Sequence, residues 1–385
     1  MKNKIKISIV LGIMCFALTA GICIQIKTVK NSNSTVSQSY TENNLRAEVL
    51  KYKERYDNKI KEIEKIDKEL EEEIQKATEN NSELSDAQEQ IKVGNKILGL
   101  SEVKGPGVTI TVKDSDVEAT NLVDSSKYLV HDKDILDIVN ELKNAGAEAI
   151  SINDERIVLT TSIICGGNVI NINEEKIGSP FVIKAIGDSE TIYGAITRNK
   201  GYVATLTKDG IQVDVQKSEE LEISKTNKTI MQNVENEKNS VKKLKKIDKL
   251  IGNLSVSGSG VEITIDTSKT SDITAITLLQ LINDLNSAGA EAISINDNRI
   301  VNMTDLMDIN KEYILVDSNC IGSPYVIKAI GNISKLRNTM NLENSTISKL
   351  RRSGKDIEEK YKAYLKIDEY TVSRGKNKLL QKYVK

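Results

Sequence analysis

Tryptophan is absent from this 385-residue chain, and aromatic residues make up only 4% of it. So few rings leave no stacking platform for single-stranded nucleic acid and little of the usual lining of a sugar-binding cleft. Histidine occurs once, at His131. The formal net charge is -1, so no global basic bias points to nucleic acid. Cysteine is sparse: Cys15, Cys23, Cys165 and Cys320. None forms a CxxC pair, which leaves neither a zinc site nor a dithiol motif, and four such scattered residues do not suggest a disulfide scaffold. What the chain has in quantity is Lys, Asn, Ile and Glu. That mixture suits solvated helices and Ile/Val-rich strands, in a length with room for two or three domains.

Residues 7–26 (ISIVLGIMCFALTAGICIQI) carry no charge and match the thickness of a bilayer core. Lys2, Lys4 and Lys6 precede them and Lys27 and Lys30 follow, a weak asymmetry favouring an inside N-terminus. A cleaved signal peptide is the rival reading. Leu18 at the -3 place of the best cut is poor for it, and Met14 and Ile22 before the cysteines are poor for a lipoprotein signal. The expectation is an uncleaved transmembrane helix over 7–26 with the bulk of the chain outside the cell.

A polar tether, residues 31–44, leads to a stripe at steps of three and four: Leu45, Val49, Tyr52, Tyr56, Ile60, Ile63, Ile66, Leu70, Ile74 and Ala77. Lys and Glu fill the other faces, with Glu62–Lys65 and Glu64–Lys68 at pairing distance on a helix. After Asn80-Asn81-Ser82 the stripe resumes at Leu84, Ala87 and Ile91. A narrow stripe among charges predicts a coiled-coil stalk over 45–93 and a homo-oligomer. The alternative is one amphipathic helix packed on its own domain.

Internal repetition is the strongest signal. KILGLSEVKGPGVTITV (96–112) returns as KLIGNLSVSGSGVEITI (249–265), AGAEAISINDERIV (from Ala145) as AGAEAISINDNRIV (from Ala288), and IGSPFVIKAIG (from Ile177) as IGSPYVIKAIG (from Ile321). The offset falls from 153 to 143 and then 144, so the second copy lacks ten residues between its first strand and its helix. Each copy reads β-α-β-β-β-α-β: a strand GVTITV or GVEITI after a Gly-rich turn, then a helix carrying Ile135, Ile138, Val139 and Leu142, or Leu278, Leu281, Ile282 and Leu285. Gly146 or Gly289 ends that helix. Strands follow at AEAISIND, at IVLTTSII or IVNMTDLM, near 169–172 or 313–316, and at PFVIKAIG or PYVIKAIG. A further helix and a closing strand, at 210–216 or 369–372, complete the unit. The expected fold class is α+β, two tandem copies of a small sheet-plus-helices domain over 94–217 and 251–385, the second with a helical C-terminal part. A helical linker over 218–250, with Ile223, Ile230, Met231, Val234, Val241, Leu244, Ile247 and Leu250 on its loose apolar face, joins them.

In these blocks, above all in YLVHDKDILDIVNELKNAGAEAISINDERIV (128–158), the chain resembles the YlxW/YlxX-like family, domain of unknown function number 881. Members are often labelled division initiation proteins. The resemblance implies an extracytoplasmic envelope protein with a membrane helix, a short coiled coil and one domain, possible partners among envelope or division proteins, and no established reaction. This chain departs in having two domains, and in placing Thr274-Ala275 where copy one has His131-Asp132.

Asn153-Asp154 with Arg156 recurs as Asn296-Asp297 with Arg299. Arginine can grip a carboxylate or phosphate, so Asn153, Arg156, Asn296 and Arg299 are the candidate ligand-binding residues; the competing reading is an internal pair pinning a strand-to-strand turn. His131, Asp132 and Asp134 read as helix-entry groups, and Gly105-Pro106-Gly107, Gly258-Ser259-Gly260 and Gly166-Gly167 as turns. Cys165 reads as a small buried apolar residue. No catalytic constellation, metal site or cofactor motif emerges. The function expected is therefore an anchored interaction scaffold, with a ligand-sensing module as the alternative and an enzyme the least favoured.

Overall fold

Val108, Ile110 and Val112 alternate with Thr109 and Thr111, and that period of two puts three β-branched side chains on one face of β1 (Val103–Lys113), where all three are buried. The computed structural model describes residues 47–55, scattered positions between 58 and 76, and residues 82–116, 128–226, 239–267 and 273–371, with residues 234, 236 and 237. The chain divides into two units, residues 1–85 and 86–385.

Within the second unit, copy one places α1 (Ser82–Ile97) before β1 and then α2 (Asp132–Asn144), β2 (Ala149–Ile152), β3 (Glu155–Arg156), β4 (Ile163–Cys165), β5 (Ile170–Ile172), β6 (Glu175–Ile177), β7 (Phe181–Ile186), α3 (Ser189–Ile196), α4 (Tyr202–Lys208) and β8 (Gln212–Ile223). Copy two repeats the series as α5 (Ser240–Ile251), β9 (Val256–Asp266), α6 (Ala275–Ser287), β10 (Ala292–Ile295), β11 (Asn298–Arg299), β12 (Leu306–Asp308), β13 (Tyr313–Val316), β14 (Asn319–Gly322), β15 (Tyr325–Ile330), α7 (Ile333–Met340), α8 (Thr346–Arg352) and β16 (Asp356–Ile367). The α+β class and the duplication stand.

Each copy has a five-stranded antiparallel sheet, ordered β3-β2-β7-β1-β8 and β11-β10-β15-β9-β16, and a separate three-stranded meander. The crossover from β1 through α2 to β2 is a split βαβ unit, because β7 lies between the two strands and runs antiparallel to both. Ile135, Ile138 and Leu142 of α2 are fully buried against the sheet, each contributing about 1.5–3 kcal/mol. Ile150, Ile152, Ile293 and Ile295 are buried as their alternation requires. The small residues between them are buried too: Ala149 packs with Ile186 and Ile223 on the opposite face, so β2 is covered on both sides. Gly146 and Gly289, at positive φ of 86° and 81°, end α2 and α6.

Several expectations change. Gly105-Pro106-Gly107 is no turn but part of β1, with a register shift against β8 between the two glycines. A methyl group at Gly107 would lie 2.0 Å from the Ala185 carbonyl oxygen, and one at Gly260 the same distance from that of Ala329; glycine is there for close strand approach. The segment after Arg156 forms no strand until Ile163. Val158 donates to the Thr161 hydroxyl and Thr161 N–H donates back to Val158 O, making a turn whose remaining carbonyls face the other copy. One helix expected after β7 is two, α3 and α4. The 218–250 segment is not helical throughout, since β8 runs to Ile223 and α5 begins only at Ser240, with Val241 exposed. Ile230 and Met231 lie outside the described residues. The closing strand of copy two is β16, not 369–372. Its Lys/Glu-rich sequence marks the solvated face of an edge strand; the helices of this C-terminal part are α7 and α8, and residues 372–385 lie outside the described residues.

In the first unit the stalk is helical where described, with Lys59–Glu62, Lys65–Glu69 and Lys76–Glu73 ion pairs at 2.6, 3.6 and 3.1 Å. Glu62 thus pairs with Lys59 and not with Lys65. Residues 7–26 and the Asn80-Asn81 interruption lie outside the described residues, among which no helix is long and apolar enough to cross a membrane.

Candidate functional site

Asn153 and Asp154 both have positive φ, 46° and 70°, and form the tight turn between β2 and β3; Asn296 and Asp297 repeat it at 44° and 62°. Asn and Asp tolerate this region best after glycine, which is why this pair closes the hairpin. The Asn153 side chain then takes a ladder place against β7. Its Oδ1 accepts from Val182 N–H at 2.8 Å and its Nδ2 donates to Pro180 O at 3.1 Å. Asn296 does the same to Val326 and Pro324, at 2.7 and 3.1 Å. Asp154 pairs with Lys184, and Asp297 with Lys328.

Arg156 and Arg299 point elsewhere. Each is 2% exposed. Arg299 Nη2 donates to Lys249 O at 3.0 Å, a carbonyl in the last turn of α5, where a cation is favoured. The stem of Arg156 packs beneath Gly99, whose φ is +73°; a side chain there would come within 2.7 Å of Val158 and 3.1 Å of Arg156 Cγ. Gly252, at φ +91°, holds the same place over Arg299 and Val301. Burial pushes both guanidinium groups down to about 10, which still leaves them charged at neutral pH. Nε and Nη1 of both have no hydrogen-bond partner. The Asn and Arg of each motif therefore serve different neighbours: the Asn a strand, Arg299 a helix end, and Arg156 the packing beneath Gly99.

The remaining candidates cluster at the entry of α2. His131 N–H donates to Asp134 Oδ2 at 2.7 Å, as a helix-entry reading requires. Cys165 is half-buried and not simply apolar: its Sγ accepts from Asp132 N–H at 3.2 Å, while its own N–H donates to Asp132 Oδ2 at 2.9 Å. Burial pushes its thiol up to about 11, away from nucleophilic character. In copy two Asp308 takes over, accepting from Ala275 N–H at 2.7 Å. Gly167 makes the expected turn, with Gly166 N–H donating to Val169 O.

The surface joining the copies is the feature the sequence reading missed. Asn140 on α2 clamps Leu306 of copy two, donating to its carbonyl at 2.7 Å and accepting from its N–H at 2.9 Å. Asn283 on α6 clamps Ile163 of copy one in the same way, at 2.8 and 2.7 Å. Asn140 and Asn283 are equivalent positions, as are Ile163 and Leu306, so the contact is reciprocal, as across a two-fold axis. A cavity of about 70 Å³ lies between the copies. Its wall pairs Leu136 with Leu279, Val139 with Ile282 and Ile157 with Ile300. The available signal was an asparagine in the middle of the same helix in both copies, where a polar residue without a partner is unfavourable.

Compared with known proteins, residues 90–235 and 243–381 each match the family described as "Bacterial protein of unknown function (DUF881)". The chain belongs to this family, in two copies. It is 30% identical to UPF0749 protein YlxW of Bacillus subtilis over 34% of this chain and 57% of that one. With UPF0749 protein Rv1823 of Mycobacterium tuberculosis it shares 35% over 26% and 34%, and with UPF0749 protein YlxX of Bacillus subtilis 42% over 17% and 31%. The chain thus spans between about a third and somewhat over half the length of these curated relatives. A crystal structure of an uncharacterized conserved protein from Mycobacterium tuberculosis aligns with 36% of the chain and 91% of its own, at 26% identity and a TM-score of 0.31.

Proposed function

We propose that this DUF881 protein is a membrane-anchored scaffold of the bacterial cell envelope, held by residues 7–26, assembled with further copies of itself through the stalk, and serving envelope or division proteins outside the membrane. The observation that carries the reading is the stalk helix. Val49, Tyr52 and Ile66, members of its apolar stripe, are 58%, 60% and 55% exposed, and Lys59–Glu62 and Lys65–Glu69 ion pairs flank Ile66. Apolar residues repeating at helical spacing along a charged helix are buried best by the same stripe of a second chain. The use of Asn153 and Asn296 in the turns, and of Arg299 at a helix end, also favours a scaffold over a sensor.

The test uses Cys320, which is exposed. In intact cells a membrane-impermeant maleimide labels Cys320 if the domains lie outside, and crosslinking of the full chain in its membranes gives multimers of the same chain. Labelling only after lysis, or no multimer, overturns the proposal. A second reading, a module binding a small anion, has one observation in its favour, the unpartnered Nε and Nη1 of Arg156 and Arg299. Neither arginine lines the cavity between the copies.

A further inference from the structure

The contact between the copies is built on a two-fold plan and departs from it at a few positions. Those departures have a direction. Helices α1 and α5 cross beside the axis, and Gly94 meets its own equivalent in the other copy, Ile247. A methyl group at Gly94 would lie 2.3 Å from Ile247 Cγ2. Two isoleucines would overlap there and two glycines would leave a void; one of each fills the space. The second departure is Asn286, which stands where copy one has Lys143. It donates to the Leu159 and Thr161 carbonyls of copy one, both at 3.1 Å, and so occupies the loop that failed to form a strand. The third is Asn302, where copy one has Leu159. It donates to Ile97 O, at the end of α1, at 3.3 Å.

We infer that this face is a pairing surface whose fitting partner is the other copy of the same chain, and that the unlike residues at Gly94/Ile247, Lys143/Asn286 and Leu159/Asn302 make the pair order-specific. Copy one accepts copy two, whereas two copies two would overlap at Ile247 and two copies one would leave the space at Gly94 unfilled. Repulsive fit of this kind is how a surface that is nearly self-complementary is kept from pairing with its like. The chain therefore closes its domain faces in cis and leaves association between chains to other surfaces. The inference does not rest on the proposed scaffold role, and its test reads a different contact.

The test is a disulfide at the axis. The Cβ of a side chain at Gly94 would be 3.5 Å from Ile247 Cβ, within the range a disulfide spans. In the full chain, with Cys15 and Cys23 changed to Ala and Cys165 and Cys320 to Ser, Gly94→Cys with Ile247→Cys is oxidised and run without reductant. Expected is loss of free thiols with the chain still migrating as a monomer. Interchain dimers from the double variant would show pairing in trans and overturn the inference. An independent arm compares Gly94→Ile with the exchanged pair Gly94→Ile and Ile247→Gly. The single change is expected to lower the unfolding midpoint and the exchange to recover most of the loss. If the exchange is no better than the single change, shape at the axis does not set the order.

Discussion

Arg156 and Arg299 carry charges into the interior of each copy, and a buried charge is tolerated only when its surroundings compensate it. For Arg299 the compensation is a helix-end carbonyl, with two nitrogens left unbonded. Replacing it with a flexible apolar side chain of similar length should therefore cost little: Arg299→Met is expected within about 1 kcal/mol of the parent, whereas Arg299→Ala, which also opens a cavity under Gly252, should cost about 3 kcal/mol. Urea unfolding of the full chain measures both, and equal losses would mean that the charge, not the packing, is what matters. Asp137 gives a pH signature. Burial pushes it from the ordinary 3.8 to about 7, with Asp134 and Glu141 adding to the rise and Lys133 opposing it; Tyr202 faces it from α4. The folded state then holds a proton that the unfolded chain has released, so this residue makes stability fall as pH rises from about 4 to about 7, and not beyond. Asp137→Asn should flatten that decline and raise stability above about pH 7 by about 1–2 kcal/mol. Thermal unfolding across that range decides it, and parallel pH profiles for the two proteins would refute it.

Helices α2 and α6 hold each copy together on one face and hold the copies to each other on another. The first job is legible in the sequence, because apolar residues recur at helical spacing, and Ile150 and Ile152 alternate in the strand that follows. Ile152→Ala should cost about 2–5 kcal/mol, as for any core aliphatic that leaves a cavity. The second job is not legible, because a lone asparagine on a helix has the same local pattern whether it meets water or another backbone. Asn283→Ala would leave the buried N–H and carbonyl of Ile163 unpaired, at a cost of about 2–3 kcal/mol. Asn140→Ala, whose clamp on Leu306 is only partly buried, should cost less. Hydrogen exchange at Ile163 and Leu306 in the two variants would report which clamp has opened; unchanged protection in both would dismiss them. The same contact explains why IVLTTSII is not the strand its composition suggests. Its carbonyls at Leu159 and Thr161 bond to Asn286 of the other copy, and no neighbouring strand takes them. The 356–367 strand was hidden for a different reason: an edge strand with one wet face carries Lys and Glu as densely as a helix does.

On the scale of the whole chain, the proposed assembly rests on the stalk. Ile63→Asp with Leu70→Asp would put two charges into the seam, and charges there lose their hydration. The full-length chain in detergent should then sediment as a monomer, while the parent sediments as an oligomer at the same concentrations; a parent that is monomeric throughout removes the stalk from the assembly. Periodicity and the comparison of one copy with the other were enough for the α+β class, the duplication and the family, whereas the turn at each Asn-Asp pair was one of two open readings. Two related things were decided only in tertiary structure: that Asn153 and Arg156 part company, and that the two copies close on each other. Both depend on which groups from distant parts of the chain arrive at the same place. Asn153 meets Val182, Arg299 meets Lys249, Asn140 meets Leu306 and Gly94 meets Ile247. No local pattern records such meetings, since the free energy of a hydrogen bond or a filled space belongs to the pair and not to either residue.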